Sequence, residues 1–270
     1  MSSDTLPMRH FSDKRGYGTI ALCGGFLGIV FGAHIFWLCV SASNTYEMRW
    51  CLYAISMSAF HFGEFALTAA HQPHDVTADS FLLNHSRAYG IAAVASWIEF
   101  WAEVYLTPWL KRGITTLVIG TTCVISGQIL RSLAMGTAAT NFTHLVATHR
   151  RHGHELVTHG VYSIFRHPAY VGWFVWSVGT QVLLANPVCT CAYTVASWRF
   201  FATRIPFEEE ALIDFFGEEY AIFARRTFGI FGIPSPAQEI SLAQAAARQK
   251  EAEEAANSTS TSSSTTQSRK

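Results

Sequence analysis

Residues 19–41, TIALCGGFLGIVFGAHIFWLCVS, contain no Asp, Glu, Lys or Arg. A helix needs about 20 mostly apolar residues to cross the hydrocarbon core of a bilayer, and this run has that length and character. Three further stretches fit the same pattern: 49–70, 88–110 and 114–135. Two shorter apolar runs follow Pro168, at 170–185 and 188–203, separated by the turn pair Asn186-Pro187. The expected fold is therefore all-α. It is a polytopic integral membrane protein with about six transmembrane helices, the last two paired as a hairpin, and a C-terminal region outside the membrane.

Composition supports that reading. Of the 270 residues, 50% are hydrophobic, 14% aromatic and 14% charged. Soluble domains carry about 25% charged residues, so an ordinary soluble enzyme does not fit. The aromatic content excludes a disordered chain. The 19 basic and 19 acidic residues cancel, leaving no net basic field for nucleic acid. The cysteines at 23, 39, 51, 123, 189 and 191 form no CxxC pair. They read as small apolar packing residues, not as metal or redox sites. The first apolar run is too long for a secretory signal and lacks a small-residue cleavage site.

The chain divides by composition. Residues 1–17 form a short N-terminus, 18–135 a four-helix transmembrane region, and 136–236 a catalytic region holding the hairpin 168–203 and a cytosolic helix. Residues 237–270 form a flexible polar tail whose last stretch, NSTSTSSSTTQS, runs up to Arg269-Lys270. Its first part, SLAQAAARQKEAEEAA, has the composition of a short solvated helix, and the whole lacks the apolar surface to fold alone. Loop charge sets the orientation. One set of segments holds Arg9, Lys14, Arg15, Arg87, Arg150, Arg151, Arg166, Arg225 and Arg226, and the opposite loops hold Arg49, Lys111 and Arg112. The bias places both termini and the catalytic region in the cytosol.

Polar residues interrupt the apolar runs at His61, Glu64, Glu99, Glu103 and Gln128. A bare charge in hydrocarbon is costly, so such carboxylates are functional candidates. Glu99 and Glu103 share a helix face. They fit either a proton or ion path or an interhelical hydrogen-bond cluster. The absence of a regular carboxylate ladder across several helices disfavours transport.

The chemistry concentrates in residues 141–173, NFTHLVATHRRHGHELVTHGVYSIFRHPAYVGW, which contain His144, His149, His152, His154, His159 and His167. His154-Glu155 with His159 resembles a zinc-protease motif, but the two histidines are five apart instead of four. That puts them on different faces of a helix, so no metal is expected. Pro168 suits the first turn of a helix, which sets His167 at the helix mouth beside unpaired N–H groups. Such an end favours an anionic ligand, and Tyr170 and Trp173 would wall an aromatic pocket. A membrane-interface belt has the same residue types. Downstream, Pro206 reads as the start of a new helix with Glu208, Glu209 and Glu210 in its first turn. Arg204 closes the last apolar run, where a guanidinium can meet a carboxylate through two parallel hydrogen bonds.

The run LVTHGVYSIFRHPAYVGWFVWSVGTQVLLANP, with WRFF, Arg204-x3-Glu208-Glu209-Glu210 and FFGEEY after it, resembles the isoprenylcysteine carboxyl methyltransferase family. FHFGEF (60–65), DSFLLNHS (79–86) and NFTH (141–144) are similar to eukaryotic members as well, so the likeness spans residues 20–233. It implies methyl esterification of a C-terminal prenylcysteine carboxylate on farnesylated or geranylgeranylated (CaaX-processed) proteins. The methyl donor would be S-adenosyl-L-methionine and the location the endoplasmic reticulum membrane. The resemblance assigns cofactor binding to His154, Glu155, Leu156, Val157, Tyr162, His167, Pro168, Ala169, Tyr170 and Glu208, and substrate binding and catalysis to Arg204. Members carry a Gln at the position of Ala147, where it helps hold the cofactor; without that amide the site is expected to be either looser or closed by His149 or Arg150. The His-Pro-x-Tyr and Arg…Glu elements are shared more widely. The alternatives are therefore a membrane phospholipid N-methyltransferase and a sterol-reductase-like oxidoreductase.

Overall fold

The computed structural model describes residues 16–40, 44–84, 86–147, 149–150, 153–230 and 232–240. The readings for residues 1–15 and for the tail from 241 onward lie outside these residues. The helices are α1 (Tyr17–Val40), α2 (Thr45–His71), α3 (Arg87–Leu106), α4 (Ile114–Ala138), α5 (Pro168–Leu184), α6 (Pro187–Phe216) and α7 (Glu218–Arg226). Among the described residues there is no named β-strand, only an isolated parallel bridge between Phe165 and Phe228. Helix starts follow local chemistry. Ser86 caps α3 by accepting from the Tyr89 N–H at 3.1 Å. Pro168 opens α5 with His167 at its N-cap.

One correction concerns Pro206. It does not open a helix but lies inside α6, which continues to Phe216. Proline removes one N–H and crowds one carbonyl, a local cost that the surrounding helix tolerates here. The glutamates 208–210 are consequently mid-helix residues and not first-turn charges.

The described chain falls into two compact units. The first comprises Met1–Phe142 and His167–Phe200, the second Thr143–Arg166 and Phe201–Lys270. In the first, Tyr53, Phe60, Phe100, Leu117, Val124, Trp176, Leu183 and Leu184 form the core. The Phe60 and Trp176 rings stack 4.0 Å apart. Trp173 packs on this core. The most extensive helix pairing is α4 with α5. A Cβ on Gly127 would lie 2.5 Å from the Trp176 nitrogen, and one on Gly172 would lie 2.7 Å from the Arg131 nitrogen. Only glycine lets the two backbones approach this closely.

The carboxylates in the apolar runs all have partners in this unit. Glu64 and Arg131 form a buried, two-pronged ion pair, one prong being Arg131 Nη2 to Glu64 Oε2 at 2.8 Å. Glu103 meets Lys111 at 2.6 Å. Glu99 accepts from the backbone N–H groups of Val188 and Cys189, both at 2.7 Å. It thereby satisfies donors that the first turn of α6 cannot satisfy itself. The other end of the hairpin turn is treated in the opposite sense. Lys111 donates to the carbonyls of Leu184 and Ala185 at 3.0 Å and to Asn186 Oδ1 at 2.9 Å. Arg49 donates to the carbonyls of Leu183 at 2.5 Å, Lys111 at 2.9 Å and Gly113. Cations at a helix C-terminus and a carboxylate at an N-terminus both match the helix dipoles. Burial pulls the Lys111 ammonium below its ordinary pKa, against the opposing pull of Glu103. These pairings match the hydrogen-bond-cluster reading of the carboxylates and not an ion path.

Among the described residues, two helices are both long and apolar enough to cross a membrane by themselves, Tyr17–Val40 and Ile114–Asn141. α2 and α3 carry the paired carboxylates, and α5 has 17 residues.

The α4/α5 contact yields a direct test. Gly172→Ala forces two backbones apart and lowers stability by about 1–3 kcal/mol, the usual cost of overpacking. Gly28→Ala, where a new Cβ has nothing within 4 Å, leaves stability unchanged or slightly raises it. Thermal unfolding of the detergent-solubilised protein separates the two.

Candidate active site

The second unit is organised around a buried guanidinium. Arg166 Nε donates to Glu209 Oε1 at 2.7 Å, and Nη1 donates to the Thr227 carbonyl at 2.8 Å. The second carboxylate oxygen of Glu209 accepts from the Ser235 hydroxyl. The Arg166 N–H donates to the Phe228 carbonyl at 3.0 Å, and the Phe228 N–H to Ile164 at 2.8 Å. One ion pair thus joins the loop before α5, the second half of α6 and the segment after α7. Glu209 is 0% exposed, so its charge is tolerable only because Arg166 and Ser235 meet it.

The three consecutive glutamates are not equivalent. Successive helical residues point about 100° apart. Glu209 faces the interior, Glu210 is exposed and Glu208 is half-buried. Arg204 lies four residues before Glu208 and shares its face. Its Nη2 donates to the His144 carbonyl at 2.5 Å, which sets the direction of the guanidinium.

The loop upstream supplies the other second-unit residues. The His154 ring meets Phe216 and Phe215 edge-on, at centroid distances of 5.3 and 5.8 Å. Arg150 lies 4.9 Å over the Phe216 ring and donates to the Phe215 carbonyl at 3.0 Å. Leu156 and Tyr162 pack against the small core of Tyr220, Phe223, Ala224 and Ala237. Glu155 is exposed and Val157 half-buried. Among the described residues no group of three or more His, Cys, Asp or Glu is arranged to hold a metal ion.

In the first unit, His167, Pro168 and Ala169 are buried at the start of α5, and Tyr170 is half-buried. The His167 and Tyr170 rings lie nearly parallel, 8° apart in plane and 5.5 Å between centroids. The His167 carbonyl accepts from the N–H groups of Tyr170 and Val171 at 3.1 Å, so the turn is closed as a helix N-terminus should be. Trp173, three residues on, is partly buried and packs on the core of the first unit.

Sequence reasoning missed three groups: Arg166, Glu209 and Arg131. The available signal was helical phase. Three adjacent glutamates span about 200° of a helix, wide enough for one of them to reach the buried face and call for a cation there. Glu209→Gln leaves the buried Arg166 without a counter-charge and costs about 3–5 kcal/mol. Glu210→Gln, on the exposed face, leaves the unfolding temperature where it was. Both are read by thermal unfolding in detergent.

Comparison with known proteins adds independent findings. Residues 118–214 match the model of the isoprenylcysteine carboxyl methyltransferase (ICMT) family. Over 207 residues the chain is 48% identical to the protein-S-isoprenylcysteine O-methyltransferase of Xenopus laevis, covering 77% of this chain and 71% of that one. The Homo sapiens enzyme of the same name is 47% identical over 77% of this chain and 72% of its own. A solved eukaryotic intramembrane Ras methyltransferase, an isoprenylcysteine carboxyl methyltransferase, superposes with a TM-score of 0.77 at 44% identity. It covers 80% of this chain and 77% of that one.

Proposed function

The chain belongs to the isoprenylcysteine carboxyl methyltransferase family, and from that premise we propose how its residues carry out the family's reaction. It is a membrane enzyme that methylates the carboxylate of a prenylated C-terminal cysteine. The observation that carries this reading is the extent of the relationship, 48% identity across 77% of the chain.

The proposed methyl donor is S-adenosyl-L-methionine, and the residue set suits it. Glu155 and Glu208 offer carboxylates to its cationic amino group. The α5 N-terminus at His167-Pro168 offers a dipole end of the right sign for its carboxylate. His154, Leu156, Val157, Tyr162, Ala169 and Tyr170 supply apolar and aromatic surface. When bound, the donor supplies a methyl group already activated by a sulfonium charge.

The acceptor needs no general base, because a carboxylate is ionised at neutral pH. What the chain must supply is alignment, which contributes roughly 7–11 kcal/mol when two reactants are held in line. Arg204 is the proposed holder of the acceptor carboxylate. A guanidinium fork suits a carboxylate geometrically, and the hydrogen bond to His144 keeps it aimed. Arg204 must grip the charge without over-stabilising it, since that charge disappears in the transition state.

The six-span arrangement, the endoplasmic reticulum membrane and a cytosolic site with both termini on the same side belong to this proposal. The Lys/Arg bias of the loops supports the orientation. Either a farnesyl or a geranylgeranyl chain suits the reading, entering from the bilayer.

Purified protein incubated with labelled S-adenosylmethionine and N-acetyl-S-farnesylcysteine should form a base-labile methyl ester. Failure of folded protein to do so overturns the reading. Arg204→Ala should raise the KM for the prenylcysteine and lower kcat while sparing cofactor affinity. Glu208→Gln should weaken cofactor binding first, measured by titration with S-adenosylhomocysteine.

A further inference from the structure

The ion pair between Glu64 and Arg131 does more than neutralise two buried charges. Glu64 is on α2, Arg131 on α4, and 67 residues separate them. Glu64 is 1% exposed and Arg131 6%. Two nitrogens of the guanidinium, Nε and Nη2, are taken by Glu64. The third, Nη1, donates to the Ala169 carbonyl at 3.3 Å. The plane of the guanidinium lies over the Phe60 ring, 5.6 Å from its centroid. Phe60 in turn stacks on Trp176 of α5. The Arg131 backbone is also the nearest atom group to Gly172.

All these contacts converge on the first turns of α5. Ala169 is the second residue of that helix, directly after the His167-Pro168 pair. A backbone carbonyl has two lone pairs, so Ala169 can serve the helix ladder and Arg131 together. Arginine is suited to this role because its donors form a rigid planar fork. A lysine presents a point charge without the planar fork that meets both oxygens of Glu64 in parallel.

We propose that Glu64–Arg131 is a positioning pair: it fixes the depth and rotation of the His167–Tyr170 turn and so sets its affinity for S-adenosylmethionine. This rests on the cofactor assignment made above. Neither residue touches the reacting atoms; each acts through the Ala169 carbonyl. A misplacement of about 1 Å can cost about 100-fold in rate, and the same shift in a turn that contacts the cofactor weakens cofactor binding as well.

The test separates position from fold. Arg131→Lys keeps the charge and loses the fork, and should weaken S-adenosylhomocysteine binding by roughly three-fold. Arg131→Met and Glu64→Gln should each weaken it by about ten-fold and also lower the unfolding temperature. The double variant Glu64→Leu/Arg131→Met replaces the pair with apolar groups, which often restores stability. The expected result is recovered thermal stability with S-adenosylhomocysteine binding still about ten-fold weak and an unchanged KM for N-acetyl-S-farnesylcysteine. Wild-type affinity in the folded double variant or in Arg131→Lys overturns the positioning role alone. Equal losses for both substrates also overturn it, in favour of a purely structural pair. Absence of S-adenosylhomocysteine binding by the unmodified enzyme overturns the cofactor assignment, and this proposal with it.

Discussion

A charge placed among apolar helices is tolerable only when an opposite charge and hydrogen-bonding groups meet it, and the arrangement of this protein follows from how that condition is met. Glu64 reaches Arg131, Glu103 reaches Lys111, and Glu209 reaches Arg166. Each pair joins stretches of chain that are distant in sequence or lie on different elements. α5 depends on two of these cations. Arg131 holds a carbonyl of its first turn, and Lys111, with Arg49, holds the carbonyls of its last. The helix that carries His167 and Tyr170 is therefore fixed at both ends by side chains from other elements. Its glycines then allow α4 to lie against it backbone to backbone.

This rigidity suits the reaction. Methyl transfer to a carboxylate asks for no acid or base, so the enzyme gains little from tuned titratable groups and much from alignment. The second unit shows the same economy. One arginine, Arg166, ties together the loop, α6 and the chain after α7, while a neighbouring face of α6 presents Arg204 and Glu208. The division of labour among Glu208, Glu209 and Glu210 is a matter of 100° steps around a helix. One is buried for structure, one half-buried for the proposed chemistry and one solvated.

Much of the fold was legible in the chain because apolar length is a one-dimensional property. The runs at 19–41, 49–70, 88–110 and 114–135 fall largely on α1 to α4, although α3 ends at Leu106 and Pro108–Arg112 form a short 3-10 turn, and Asn186 separates α5 from α6. Pro168 at the start of α5 was legible for a similarly local reason, the proline's missing N–H. The same logic failed at Pro206, where the neighbouring residues carry the helix through. Local chemistry ranks what a residue prefers, and packing decides which preference prevails.

By itself, then, the sequence determined the helical class and where most of the helices lie, and the long run 156–187 together with the pieces at 60–65, 79–86 and 141–144 carried the resemblance to the family. These depend on composition and on contiguous motif residues. Only the tertiary structure decided which charges are partners. It paired Glu64 with Arg131 across 67 residues and chose Glu209, not its neighbours, for Arg166. The physical reason is that an ion pair is a meeting of two points in space. A chain read along its length carries the charges but not the distances between them.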